Sequence, residues 1–116
     1  MEEDRRRFER VQCEFDSSFK SIEESTRSAS NAVVQDISEG GIRFRAGKFI
    51  PVNHRLLFTI HIPSHKSVEA VARPAWIREI PSLSRYDIGA EFISLAAEDR
   101  EIIRQYTTEL VSRTKG

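Results

Sequence analysis

One cysteine, Cys13, and no apolar run longer than three residues set the first limits on this 116-residue chain. A lone cysteine can neither close an internal disulfide nor supply a multi-cysteine zinc site. A three-residue run is far below the ~20 apolar residues of a membrane-spanning helix and below the core of an export signal. No membrane insertion is therefore expected, and a reducing, cytoplasmic location is. Charge of one sign is not in excess either: 18 Lys and Arg face 18 Asp and Glu. Proteins that grip a DNA duplex draw much of their affinity from neutralising phosphates, so a net charge of zero argues against a duplex partner. Glycine and proline are sparse, at five and four residues, while 39% of the chain is apolar. That content suits one folded domain rather than a disordered chain.

What is present is alternation with period two, the mark of strands with one buried and one wet face. Val11, Cys13 and Phe15 alternate with Gln12 and Glu14; Ile42 and Phe44 alternate with Arg43 and Arg45; Leu56, Phe58, Ile60 and Ile62 follow the same rule. Val68, Ala70 and Ala72 lead through Pro74 to Trp76, and Tyr86, Ile88, Ala90 and Phe92 oppose Asp87, Gly89 and Glu91. Pro74 marks a bend or an edge. Residues 17–30, with six serines, read as a loop before a strand at Ala32-Val33-Val34. The last segment has helical period: Leu95, Ile102, Ile103, Tyr106 and Leu110 share one side, Ser94 is placed to cap it, and a helix is expected over 95–112. Hairpin-length connections and the absence of a repeat point to a mainly β, closed or nearly closed antiparallel sheet, with the helix over one mouth.

Catalytic chemistry has little to work with. His61 and His65 are separated by Pro63 and have no adjacent cysteine or Glu-x-x-His partner, so they do not form a metal motif. Cys13 falls among apolar alternating positions and reads as a small core residue. No enzyme, cofactor or metal is expected.

Two short elements carry a different chemistry, Arg6-x-x-x-Arg10 and Asp36-x-Ser38-x-x-Gly41. On a strand, Asp36 and Ser38 point outward together while Ile37 points inward. An ionised carboxylate accepts the N1–H and N2 amine of guanine, and the arginine fork matches guanine O6 and N7 or a phosphate. Gly40 and Gly41 allow a turn to approach a ligand closely, or supply positive φ. A barrel binding single-stranded nucleic acid by stacking is a rival reading, which the zero net charge disfavours.

With Trp76 near a strand end and Ile88-Gly89-Ala90-Glu91-Phe92 before the final helix, these motifs resemble the PilZ domain over nearly the whole chain. The resemblance implies a six-stranded antiparallel β-barrel with a C-terminal helix: residues 1–10 form a flexible arginine arm and 11–116 the barrel and helix. It also implies binding of cyclic di-GMP, with Arg6 and Arg10 clamping guanine and phosphate, Asp36 and Ser38 holding a guanine, and Gly41 shaping the turn. Arg5, just before the arginine motif, favours an intercalated ligand dimer. Trp76 either lies beside the ligand or is a barrel-wall aromatic, and Arg7, Arg43 and Arg78 are weaker candidates. The implied output is an altered surface read by an effector protein. The alternative is a protein–protein adaptor of the same family acting without nucleotide.

Overall fold

Six strands that each bury alternate side chains bury one face and leave no free edge when the sheet closes on itself, and this chain takes that solution. The computed structural model describes residues 10–24 and 29–115. The strands are β1 (Val11–Ser21), β2 (Ser30–Ser38), β3 (Gly41–Ala46), β4 (Leu56–Ile60), β5 (Val68–Ile80) and β6 (Arg85–Leu95), followed by helix α1 (Ala97–Lys115). They form a closed antiparallel barrel in the order β1-β2-β3-β6-β5-β4, with β4 returning to β1. Closure removes the unpaired edges that an open sheet would expose.

Phe19, Phe44 and Phe58 meet inside, with ring centroids 4.9–5.5 Å apart and at most 1% of each residue exposed. Ile37, Ile42, Leu56, Ile60, Val68 and Ile88 pack around them. Burying such a side chain contributes roughly 1.5–3 kcal/mol. Phe19 corrects the loop reading of residues 17–30: β1 runs on to Ser21, because Ser17, Phe19 and Ser21 continue the inward phase and pair with β4. Serine composition concealed that period, since small hydroxyl residues fit a crowded wall as well as a turn.

The C-terminal element also differs from expectation at its start. Pairing of Val71 with Ser94 and of Ala70 with Leu95 carries β6 through Leu95, so Ser94 is not a helix cap and α1 begins at Ala97. Glu98 and Asp99 occupy the first turn, where the helix dipole favours them. Ile103 and Tyr106 are buried. The Tyr106 ring stands edge-on to Phe15 and His65, at 5.9 and 6.4 Å. These contacts, with His65 Nε2 to Glu109 Oε1 at 3.0 Å, seat α1 across the mouth where the β2–β3 and β4–β5 connections lie. No described helix is long and apolar enough to cross a membrane.

Candidate functional site

Asp36 reaches the outer wall through two irregularities. Val34 and Ile37 are both fully buried although three positions apart, which strict alternation forbids. The β2–β3 register shifts between Val34 and Asp36, leaving Gln35 as the extra residue. On the other side the β1–β2 register shifts between Gln12 and Phe15. Bulges of this kind re-aim side chains, and here they put Asp36 outward while Ile37 enters the core.

Asp36 and Ser38 form the expected polar platform on the outer wall, but not an open one: they are 6% and 5% exposed. Asp36 is covered by arginine. Arg43 Nε donates to Oδ2 at 2.8 Å, and Arg10 Nη1 lies 3.3 Å from Oδ1 as an ion pair without hydrogen-bond alignment. Oδ1 is thus a buried oxygen that accepts no hydrogen bond among the described residues. Burial of an unsatisfied acceptor costs about 1–3 kcal/mol, a cost that a ligand donor can remove.

Arg43 extends the arrangement to a second carboxylate. Its Nη1 lies 3.2 and 3.3 Å from the two oxygens of Asp87, whose side chain is 1% exposed. Arg78 Nη2 donates to Asp87 Oδ2 at 3.0 Å, and Arg45 Nε stands 3.9 Å from Oδ1. Two aspartates and four arginines therefore share one patch, with Arg43 linking both acids. The hydrogen bond that it donates to Asp36 raises the pKa of Arg43 still further. Asp87 was legible only as an outward residue of β6. Its role as an anchor comes from the β3–β6 register, which sets Arg45 opposite it, and sequence spacing does not reveal that pairing.

The turn has a tighter logic than the expected approach to a ligand. Ser38 Oγ accepts from the Gly40 amide at 3.1 Å. Neither glycine has positive φ. Gly41 is required by the neighbouring strand: a Cβ there would lie 2.3 Å from the carbonyl oxygen of Ala90. Glu39, between the motif residues, is tied to α1, with Arg100 Nη1 donating to its carbonyl at 2.9 Å and Arg104 Nε 3.4 Å from its carboxylate.

Trp76 is on the outer wall and 42% exposed, not in the core. Alternation from Val68 places it inward. The register shift between Pro74 and Trp76 inserts Ala75 and reverses the phase, so Pro74 marks a bend in a barrel without edges. Its indole lies over Gly89, where a Cβ would come within 2.2 Å of Nε1. The structure thus brings together Arg10, Asp36, Arg43, Asp87 and Arg78, with Ser38 and Gly41 in the adjoining turn and Trp76 paired to Gly89 beside Arg43. Arg5, Arg6 and Arg7, and with them all of the proposed arm except Arg10, lie outside the described residues.

Burial, reinforced by the Asp36 charge, pushes the Cys13 thiol up to about 12, and burial beside Cys13 pushes the Tyr106 hydroxyl up to about 12. Cys13 is therefore a protonated wall residue under ordinary conditions. His61 and His65 have separate partners, Ser67 and Glu109.

The closed barrel thus carries its paired charges and an exposed indole on the outside, against a serine-glycine turn. The match to the PilZ domain family over residues 4–109 identifies it further: the chain belongs to that family. It is similar in fold to the inhibitor of motility (MotI/DgrA) of Bacillus subtilis, at 20% identity and a TM-score of 0.76, covering 96% of this chain and 53% of that one. It is also similar to YcgR of Escherichia coli solved in complex with c-di-GMP, at 14% identity and a TM-score of 0.71, covering 96% and 48%. The PilZ domain of YcgR with c-di-GMP matches at 14% identity and a TM-score of 0.68, covering 96% and 95%. The chain spans about half the length of the first two proteins. No curated protein sequence matches it.

Proposed function

We propose that this chain is a cyclic di-GMP receptor, acting without catalysis in the cytoplasm and passing ligand occupancy to an effector protein. The observation that carries the reading is the buried Asp36 Oδ1, which accepts no hydrogen bond among the described residues and faces Arg10 across 3.3 Å. Both residues stand at the positions of the family's two motifs. Guanine offers two adjacent donors, N1–H and the N2 amine, that suit this carboxylate. Arg10, displaced from Oδ1, is then available to a phosphate, where a charge-assisted pair is stronger than its present contact. Trp76, exposed and backed by Gly89, offers a stacking face. The c-di-GMP held by the related YcgR structures supports the ligand class.

Arg5 and Arg6 join Arg10 in this proposal, with residues 1–10 as a flexible arm that folds onto the barrel when ligand arrives and so creates the effector surface. Arg5 favours an intercalated dimer by stacking on a base and pairing with a phosphate. The test is calorimetric titration of cyclic di-GMP into the chain, with GTP and cyclic di-AMP as controls. Saturable, guanine-selective binding is expected, weakened by about tenfold or more in Asp36→Ala and Arg10→Ala. Backbone order parameters for residues 5–10 should rise on saturation. Absence of binding by the folded chain would replace the receptor with a nucleotide-independent adaptor.

A further inference from the structure

Along the same wall, roughly 7 Å beyond the Asp36–Arg43 row at strand spacing, a cavity of about 600 Å³ opens that holds none of the motif side chains. Its lining includes Arg45, Lys48 and Arg85, with Asp16, Ser30 and Asn31. Three cations against one carboxylate stand out in a chain whose charges sum to zero. These cations are also under-used. Arg85 has no ion pair among the described residues, and neither does Asp16, so the two share a cavity without closing it. Among the described residues Lys48 reaches only Glu24, at 3.5 Å, with both side chains nearly half exposed, a pairing worth little. Arg45 Nε stands 3.9 Å from Asp87 Oδ1 and, though buried, makes no hydrogen bond among the described residues. Gly47 lacks the Cβ that would stand 3.3 Å from Arg85 Nη1, which leaves room for that guanidinium on the rim.

We infer that this cavity is a second ligand site, displaced along the wall from the dinucleotide site and adjoining that patch at Arg45, for a phosphate monoester of a small polyhydroxylated molecule, in chemical terms a sugar phosphate. A phosphate monoester carries about −1.5 to −2 charge at neutral pH, close to the excess of the lining. Arginine forks and a lysine point charge are the side chains suited to its oxygens. The volume lies within the ~300–1,000 Å³ of small-molecule sites and exceeds what a bare phosphate fills. Asp16, Asn31 and Ser30 supply the acceptors and donors that sugar hydroxyls need.

The probe is ribose 5-phosphate, titrated into the full chain and followed by nitrogen–proton NMR, with ribose and inorganic phosphate as separate arms. Saturable shifts are expected at the amides of Asn31, Gly47 and Lys48 and at the side-chain N–H of Arg45 and Arg85. Ribose alone should give none, and inorganic phosphate should bind more weakly. The Lys48→Ala/Arg85→Ala double variant, altered only at exposed side chains, should keep its dispersed spectrum and lose affinity by about tenfold or more. Shifts that survive in that variant, or that fail to saturate, would overturn the site. Equal affinity for inorganic phosphate would overturn the sugar-phosphate assignment. In a final arm the chain is first saturated with cyclic di-GMP: persistence of the shifts is expected, and their loss would make the cavity part of the dinucleotide site. A chain that ignores cyclic di-GMP yet binds ribose 5-phosphate would sink the receptor reading and leave this site standing.

Discussion

Gly41 and Gly89 both occupy places where a side chain has no room, but different atoms fill the space. At Gly41 the obstacle is the main-chain carbonyl of Ala90; at Gly89 it is the indole of Trp76, which can swing toward solvent. Gly41→Ala must therefore prise β3 from β6, and we expect a loss of about 1–3 kcal/mol in denaturant unfolding. Gly89→Ala should cost less while shifting Trp76 fluorescence to the red, and the reverse ranking would refute this account. The sequence discloses such residues unevenly. Asp36, Ser38 and Gly41 were legible because their spacing is itself the signal. Asp87 was not, because its importance lies in arginines from three other positions, which only the register assembles. Gly41 was legible for an incomplete reason, since a close backbone approach was expected of a ligand and is made by a strand.

At the scale of elements, period two located most of each strand, and its failures coincide with bulges. Gln35 and Ala75 each reverse the phase of the residues after them, and without them Asp36 would enter the core and Trp76 would join it. Nothing in composition announces an inserted residue, although Pro74 hints at one by lacking a ladder donor. The helix was legible in its period, but its start was not: Leu95 fits the helical stripe as well as it fits the last pair of β6. How α1 is held to the barrel can be measured. Arg100→Ala strips a donor from the Glu39 carbonyl and should lower stability by about 1 kcal/mol. Arg104→Ala removes a contact whose arginine is 56% exposed and should cost less than about 0.5 kcal/mol. Equal losses in chemical denaturation would show that the main-chain tie does not lead.

For the molecule as a whole, neutrality conceals a sorted surface, with arginines gathered over two buried acids on one wall. Its pH response has a definite sign. Cys13 and Tyr106 hold their protons to about pH 12 when folded, whereas an unfolded chain releases them from about pH 8.5 and 10. Between those values the native state binds more protons than the unfolded state, so stability falls as pH rises from about 9 toward 12. Cys13→Ala should flatten the early part of that decline in urea midpoints measured from pH 8 to 11, and an unchanged slope would discount the thiol. The tie between Arg100 and Glu39 joins residues 61 positions apart, and Asp87 arrives only with the sixth strand. During synthesis from the N-terminus, the signature turn is therefore made early but left unsupported. Arg43 waits for its second carboxylate until β6 emerges, and the turn waits for its latch until α1 is made. The motif-bearing surface is finished by segments translated well after both motifs, so a nascent chain can carry both motifs and still lack the contacts that assemble them.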